Sequence, residues 1–576
     1  MLKVGVTTGL YTIARTEELA TSVRKIGFAL TRGTSVIEIS GDVPHEITET
    51  DGKEIRYIVK KQGLDILFHG SLTVPMGLPE RGEWRDAQDH MQKSVMSAVY
   101  SGCKYVLFHA CLNVWLELMT YAGRKLTMSF CDHEGRFISE ILKENRQLRE
   151  WFVEHRGEDY ARDILLPEES QQVNSRFRIE RSKVEREISR IEARAMPHRD
   201  ERTGRFVPPE LTREQADELI NKKHDELAKT NERLLREALL KKLSKGGRWD
   251  SEELRGIIGV IDGYHILAHH MFYTKDPLWV QMAKIYGIDV DYSNKNWVDE
   301  KWRQAEKKND RVFKEFYYGT VAAKFLEGHV KKLIEWIDND LMKKLKDPEL
   351  KRIARELKVT IEIPDARDAT HAGLHLLWRP RQVYAAVKNV RQKLKTDRVW
   401  LTMDFEHVAT QGKDPIKEMK ETVEMIPDFG SIVLSVHSNA PNPMHAHEPL
   451  ELGDERIYEL LWTLRKTGMG KDGRMSYIIY ERGGAKDPFA KSIEVLRLCV
   501  QLLEKEIKPD KLPMEFYGMK GPVAGDVQRQ RQIIHDHAWE PMKDLLEISE
   551  EEWTMLSQAA IKKGKRAEQW KRGEFR

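Results

Sequence analysis

Eight short apolar runs, separated by segments of helical period, predict that this chain is an α/β protein, a (β/α)8 TIM barrel. The runs are predominantly apolar, and β-branched residues are frequent among them, as in buried parallel strands. A long interruption after the fourth run predicts a large helical insertion, and the residues beyond the eighth unit predict a C-terminal helical extension. Because the strands of such a barrel end at one face, the functional site is expected at their C-terminal ends.

The predicted strands fall into two groups of four. The first group is KVGVT (3–7), VIEIS (36–40), LDILFH (64–69) and YVLFH (105–109). The second group is VTIEIP (359–364), VWLTMD (399–404), SIVLSVH (431–437) and YIIYE (477–481). Apolar residues spaced three and four apart predict helices roughly at 16–31, 45–62, 85–101, 380–395, 415–427, 454–467 and 488–507. The same alternation on both sides of the interruption predicts one barrel built from two segments of the chain.

Residues 112–320 interrupt the alternation and are predicted to form the helical insertion. Apolar residues close to heptad spacing flank a Pro/Gly loop at 196–210, which predicts an antiparallel helical hairpin. Thr212 and Gln215 have the spacing of a capping box at the start of its second helix. The many charges of the hairpin are typical of a solvated face rather than of a recognition surface. A helix predicted at roughly 321–345 then returns the chain to the barrel.

The predicted organisation therefore has four segments. Residues 1–111 form the first half of the barrel, residues 112–320 the insertion, residues 321–507 the second half of the barrel and residues 508–576 the extension. The extension ends in IKKGKRAEQWKRGEFR (561–576), which has seven basic residues and two acidic ones. A basic segment of this kind can contact phosphates, and a frayed, solvated chain end accounts for it equally well.

The composition excludes several classes of protein. Lys and Arg number 95 and Asp and Glu 92, so the net charge of +3 lacks the polycationic signature of non-specific nucleic-acid binding. Four cysteines without paired spacing argue against a disulfide framework and for a reducing compartment, so a cytoplasmic location is predicted. No apolar stretch of about 18 residues occurs, so no membrane association is predicted. The charged content of 32% is typical of a thermophile, and nothing in the sequence indicates an oligomeric state.

The ends of six predicted strands carry a residue that can bind a metal. These residues are His69, His109, Glu362, Asp404, His437 and Glu481. An isolated histidine at the end of an apolar strand is more often a hydrogen-bonded core residue, but the strand ends of a barrel converge on one cavity. His407 follows Asp404 in DFEH, and His445 and His447 lie after the seventh strand, where positions i and i+2 point to one side. A mixed set of imidazoles and carboxylates suits Zn²⁺ or Mn²⁺.

The order of these motifs resembles that of endonuclease IV, the metal-dependent apurinic/apyrimidinic endonuclease among the xylose isomerase-like TIM barrels. The resemblance covers residues 1–111 and about 355–507 and rests on His69, His109, Glu362, DFEH, VHSNAP, HAH and Glu481. It implies two or three Zn²⁺ ions, with Mn²⁺ or another divalent metal as the alternative. The implied ligands are His69, His109 and Glu362 for the first ion, Glu362, Asp404, His437 and Glu481 for the second, and His407, His445 and His447 for the third. His445 replaces a carboxylate of the family, and Leu72 stands where the endonucleases have an aromatic residue that wedges into DNA.

Three functions are compatible with these residues. The resemblance implies a metal-dependent phosphoester hydrolase acting on DNA, in which Glu362 bridges two ions and Glu481 offsets their charge. The first alternative is a sugar isomerase or epimerase of the same superfamily, which needs one ion and uses Glu362 and Glu481 to relay a proton. The second alternative is a metal-binding scaffold protein in which the insertion binds a partner and the barrel only retains its metals. The further imidazoles favour the hydrolase, because a single-metal isomerase has no use for them.

Overall fold

The computed structural model describes residues 1–7, 34–41, 47–71, 74, 76, 80–110, 130–200, 202, 204–245, 260–364, 377, 379–442, 448–481 and 489–519. Several predictions fall outside these residues: the helix at 16–31, Leu72, the pair His445 and His447, and the extension from residue 520 onward. No helix in the described part of the chain is long and apolar enough to cross a bilayer.

Eight parallel strands close into a barrel, which confirms the predicted fold. In chain order the strands are β1 Leu2–Thr7, β2 Val36–Ser40, β3 Asp65–His69, β4 Tyr105–His109, β5 His198–Arg199, β6 Phe206–Val207, β7 Lys358–Glu362, β8 Val399–Asp404, β9 Val433–His437 and β10 Ser476–Tyr480. β5 and β6 pair antiparallel with each other, and the other eight form the barrel in the order β1, β10, β9, β8, β7, β4, β3, β2. The insertion therefore lies between the fourth and fifth barrel strands, as predicted.

The α-helices that the structure describes are, in chain order, α1 Glu49–Gln62, α2 Arg81–Ser101, α3 Ile138–Glu144, α4 Arg146–Ile164, α5 Pro167–Arg194, α6 Arg213–Lys245, α7 Val260–Tyr273, α8 Pro277–Ile285, α9 Trp297–Lys308, α10 Arg311–Trp336, α11 Met342–Lys344, α12 Pro348–Glu356, α13 Pro380–Leu394, α14 Phe405–Thr410, α15 Pro415–Met425, α16 Glu455–Lys466 and α17 Phe489–Glu504. The helix predicted at 321–345 begins earlier, at Arg311. The reason is that the Asp310 side chain caps it, accepting hydrogen bonds from the backbone N–H groups of Val312 and Phe313.

Alternation along the strands places apolar side chains below the candidate metal ligands. Residues two apart in a strand share a face. Leu107 therefore shares a face with His109 on β4, and Trp400 shares one with Asp404 on β8. These side chains belong to a buried cluster formed by Val36, Leu67, Tyr105, Leu107, Trp400, Leu434, Tyr477 and Ile479. Apolar packing thus occupies the earlier strand positions and leaves the strand ends to polar residues.

Two compact units divide the described residues. One comprises those of Met1–Arg124 and Lys275–Arg576 and holds the barrel, and the other is Lys125–Thr274. In the second unit α5 and α6 pack on each other as the predicted hairpin, with β5 and β6 in the connection. Gln215 N–H donates to Thr212 Oγ1 at 3.2 Å and Thr212 N–H donates to Gln215 Oε1 at 3.0 Å, which confirms the capping box. α5 buries none of its residues, so its charges lie on a solvated face.

The second unit is shorter than the predicted insertion of 112–320. It ends at Thr274 because α8 and α10 pack against α13, a helix of the barrel unit. Every residue of α10 from Phe316 to Val330 is buried, which is typical of a helix inside a core rather than of a solvated insertion. The residues after Thr274 therefore belong with the barrel.

One buried histidine of α10 links the stability of the barrel unit to pH. His329 is fully buried, stacks on Trp84 with ring centroids 5.0 Å apart, and its Nδ1 lies 2.8 Å from Gln88 Nε2. Burial, reinforced by the charge of Lys332, lowers the pKa of His329 to about 3. The unfolded chain binds this proton near pH 6.5. The contribution of His329 to stability is therefore complete above pH 6.5 and is lost as the pH falls from 6.5 toward 3.

We expect the variant His329→Phe, which keeps a ring against Trp84, to weaken the acid sensitivity of the protein. Protonating the histidine of the unfolded chain alone costs about 2 kcal/mol of stability at pH 5, a cost that phenylalanine does not have. Urea unfolding at pH 7, 6 and 5 measures this difference. The matched control is His224→Gln, because His224 is exposed and its replacement should leave the pH dependence unchanged. Equal pH dependence in wild type and His329→Phe would contradict the assignment.

Candidate metal centre

The strand register brings the six predicted strand-end residues to one end of the barrel. His109 of β4 is the lateral neighbour of Glu362 of β7, and Asp404 of β8 is the neighbour of His437 of β9. The described residues contain three groups whose ligand atoms lie within 4.8 Å of one another. The groups are His69, His109 and Glu362; Glu362, Asp404 and His437; and Glu38, His437 and Glu481. Glu362 and His437 each belong to two groups, so the three form one continuous cluster.

The first group presents two imidazole nitrogens to one carboxylate oxygen. Glu362 Oε2 lies 2.9 Å from His109 Nε2 and 3.5 Å from His69 Nε2, and the two imidazole nitrogens are 3.3 Å apart. The other ring nitrogen of His69, Nδ1, lies 2.9 Å from the carbonyl oxygen of Gly70. A proton on Nδ1 satisfies this contact and leaves the lone pair of Nε2 for a cation, an arrangement found for metal-binding histidines.

Three carboxylates surround Nδ1 of His437, two of them from the second group and the third, Glu481, from the third group. This nitrogen lies 2.5 Å from Glu362 Oε1, 3.3 Å from Glu481 Oε1 and 3.9 Å from Asp404 Oδ2. The side chains of His437, Glu362 and Asp404 are fully buried, and that of Glu481 is 16% exposed. Glu362 therefore turns its two oxygens toward different partners, Oε2 toward His69 and His109 and Oε1 toward His437.

The donor set fits a divalent cation. Both oxygens of Glu362, Asp404 Oδ2 and His437 Nδ1 are buried, yet none has a partner in hydrogen-bonding geometry among the described residues. Some of these atoms are nevertheless within 2.9 Å of a nitrogen. Short separations without hydrogen-bond alignment are expected where lone pairs point at a shared centre rather than at each other. Glu362, Asp404 and Glu481 place three carboxylates around one imidazole, so burying them is costly, and a bound cation would reduce that cost.

Electrostatics within the cluster favours ionised groups at its centre. Burial opposes the charged forms of Glu362 and His437. The charges of His437 and His109 together outweigh burial at Glu362, so its pKa lies well below its ordinary value, and the charges of Glu362, Glu481 and Glu38 raise the pKa of His437 well above its own. Burial raises the pKa of Asp404 to about 6 and lowers the pKa of His109. A cation at His437 must displace a proton, so metal affinity is expected to fall as the pH falls.

His407 lies beside the first group, and its proposed companions lie outside the described residues. Its ring centroid is 5.4 Å from that of His109, and its Nε2 is 3.7 Å from Asp404 Oδ2. Asp404 caps α14, accepting a hydrogen bond from the His407 N–H at 2.9 Å, so the DFEH motif places both side chains by its own backbone geometry. The third ion with His445 and His447 stays a prediction.

Two buried residues that support the cluster were absent from the predicted site. Glu38 of β2 lies 3.1 Å from His437 Nε2, and Asn439 accepts a hydrogen bond from the Glu481 N–H at 3.0 Å. Glu38 is the third residue of its strand and so does not stand at a strand end, where the other predicted ligands lie. A signal was present nonetheless: a carboxylate in the middle of the apolar run VIEIS is exceptional, because a buried charge needs a partner.

The fold and the cluster define a (β/α)8 barrel with a candidate metal centre at the carboxyl ends of its strands. No known protein family and no curated protein matches the sequence. Solved structures that resemble the chain include a D-tagatose 3-epimerase-like protein, with 8% identity and a TM-score of 0.37 over 88% of this chain and 100% of that one. Another is the apo form of 3-keto-D-glucoside 4-epimerase, YcjR, from E. coli, with 9% identity and a TM-score of 0.33 over 87% of this chain and 100% of that one. Similarity of this extent identifies no substrate or reaction.

Proposed function

We propose that this chain is a metal-dependent phosphoester hydrolase whose centre holds two divalent cations that share Glu362. The observation that carries the proposal is the division of the Glu362 carboxylate, with Oε2 facing His69 and His109 and Oε1 facing His437. A carboxylate placed in this way would be a ligand common to two cations. Imidazole and carboxylate ligands together suit Zn²⁺, with Mn²⁺ as the alternative.

The residues of the cluster have distinct roles in this proposal. When bound by these residues, a pair of divalent cations would supply an activated water and charge neutralisation for in-line displacement at phosphorus. Glu362 holds the two binding positions at a constant separation. Asp404 and Glu481 offset the positive charge, and the buried strand ends exclude bulk water, which strengthens electrostatic interactions at the centre. DNA is the proposed substrate on the basis of the resemblance to endonuclease IV.

The second candidate is a sugar isomerase or epimerase that uses one cation. One observation favours it: oxygens of Glu362 and Glu481 both lie within 3.3 Å of His437 Nδ1, so two glutamates flank one binding position. With Asp404, these residues would hold a single ion, and the two glutamates could relay a proton between neighbouring carbons of a sugar. His69 and His109 would then have no cation to bind, although their nitrogens converge on Glu362 Oε2.

Metal content and substrate preference test the proposal together. We expect at least two ions per chain in native protein, and the loss of one ion in His109→Ala, since this substitution removes a ligand of only one group. His445→Ala tests the predicted third ion in the same way. The exposed His224→Ala is the matched control. The loaded protein should cleave a generic phosphodiester and duplex DNA with an abasic site.

One result would favour the isomerase instead. It is a single ion per chain that His109→Ala leaves in place, together with interconversion of ketose epimers and no phosphodiester cleavage.

A further inference from the structure

We propose that Glu38 is a positioning residue that holds His437 by its Nε2 atom, so that Nδ1 is the nitrogen offered to the cation. The inference rests on the metal centre of the proposed function but not on the reaction that the centre performs. Glu38 lies on β2 and His437 on β9, and the two residues are 399 positions apart in the sequence.

Both oxygens of Glu38 have a protein partner. Oε1 lies 3.1 Å from His437 Nε2, and Oε2 accepts a hydrogen bond from the Tyr105 hydroxyl at 2.5 Å. All three side chains are buried, so water does not compete for these contacts. Glu38 is therefore held from both sides, by His437 at Oε1 and by Tyr105 at Oε2.

The two nitrogens of His437 face different surroundings. Nδ1 has Glu362, Glu481 and Asp404 within 3.9 Å, whereas Glu38 is the carboxylate at Nε2. A proton on Nε2 donated to Glu38 leaves the lone pair of Nδ1 directed at the three carboxylates. Carboxylate–histidine–metal triads of this kind fix the tautomer and the ring orientation, and they raise the basicity of the ligand.

A second assignment competes with this one, because Glu38, His437 and Glu481 also lie close enough to hold a cation. The Tyr105 hydroxyl argues against it. Burial, reinforced by the charge of Glu38, raises the pKa of Tyr105 well above its ordinary value, so the phenol keeps its proton and donates it to Glu38. A cation shared by Glu38 and Glu481 would also need both carboxylates at one ring nitrogen of His437, whereas Glu38 faces Nε2 and Glu481 faces Nδ1.

A series of hydrogen-bonded hydroxyl groups connects Tyr105, the partner of Glu38, to three further strands of the barrel. Thr360 Oγ1 and Thr402 Oγ1 are 2.7 Å apart, Thr402 Oγ1 and Ser435 Oγ are 2.6 Å apart, and Ser435 also bonds Tyr105. These residues come from β7, β8, β9 and β4, so neighbouring strands share one hydrogen-bonded layer. Fully satisfied buried networks are rigid. The layer therefore limits the freedom of Glu38 and, through it, of the His437 ring.

Binding of Co²⁺, followed by its visible absorption, tests the role without using catalysis. We expect Glu38→Leu to weaken Co²⁺ binding about 10- to 100-fold, as for other outer partners of metal-binding histidines, with an unchanged number of ions per chain. Glu38→Gln keeps an acceptor oxygen for Nε2 and should restore at least half of this loss on a logarithmic scale. Tyr105→Phe removes only the outer hydrogen bond and is expected to have a smaller effect than Glu38→Leu.

Long-range ¹⁵N spectra of the histidine rings in the Zn²⁺-loaded wild type give a second readout that needs no variant of Glu38 to fold. The His437 signal, assigned with His437→Gln, should show a protonated Nε2. A protonated Nδ1, an affinity of folded Glu38→Leu within twofold of wild type, or the loss of one whole ion in Glu38→Gln would each overturn the proposal. Absence of phosphodiester cleavage by the loaded wild type would refute the proposed hydrolase and leave these readouts unaffected.

Discussion

Glu362→Gln is expected to lower the affinity for the first two cations by more than about 100-fold. Loss of a residue that only hydrogen-bonds a metal ligand already lowers metal affinity about 10- to 100-fold, and Glu362 is itself a proposed ligand. The amide has one acceptor oxygen in place of two. It can therefore bind a cation beside His69 and His109 or a cation beside His437, but not both. It also removes the negative charge that the two positions share. Metal-dependent activity should fall in proportion, since both cations depend on this residue.

Metal analysis after gel filtration and equilibrium titration with Zn²⁺ measure the effect. Glu335→Gln is the matched control, because the Glu335 side chain is 46% exposed and lies outside the cluster. Glu362→Asp keeps the charge but retracts the oxygens by one methylene, so an intermediate affinity is expected. A Glu362→Gln protein that retains two ions at wild-type affinity would show that Glu362 is not the bridge.

Gly52→Ala is expected to destabilise the barrel unit by about 2–3 kcal/mol, although alanine favours a helix interior by about 1 kcal/mol over glycine. Gly52 lies in α1, where a Cβ atom would meet the Tyr100 carbonyl oxygen of α2 at 2.4 Å and its carbonyl carbon at 2.5 Å. Backbone atoms within a packed helix cannot rotate away as the end of a side chain can. The overlap therefore outweighs the gain in helix propensity.

Urea unfolding of the two proteins in the same metal-loaded state measures this difference. Gly82→Ala in α2 is the matched control, because its Cβ would meet only the end of the Glu80 side chain, at 2.9 Å from Oε2. That carboxylate can move, so we expect stability within about 1 kcal/mol of wild type. Equal stability of Gly52→Ala and wild type would show that the two helices separate at little cost.

Much of the candidate centre could be predicted because its residues occupy repeated local positions. His69, His109, Asp404 and His437 each end a strand that the apolar pattern identifies, and a barrel gathers such ends at one face. Glu481 directly follows its strand. Asp404 and His407 are also linked by a local motif, since the aspartate caps the short helix that contains the histidine. Neither the alternation of side chains nor capping depends on distant regions of the chain.

Other features required the closed barrel. Glu38 is recognisable in the sequence only as a charged residue inside an apolar strand, and nothing nearby indicates that it meets His437 and Tyr105. The end of the second unit at Thr274 could not be predicted either. The apolar patterns of α8 and α10 do not indicate which of the two units buries these helices.

The sequence by itself determined the barrel and the kinds of metal-binding groups at its strand ends, because strand periodicity and strand-end position are properties of short segments. Only the tertiary structure decided how these groups are connected. Glu362 turns one oxygen to each side, and His437 has carboxylates at both ring nitrogens. The physical reason is that these contacts join strands far apart in the chain. Their distances follow from the register of the closed sheet, which no single strand encodes.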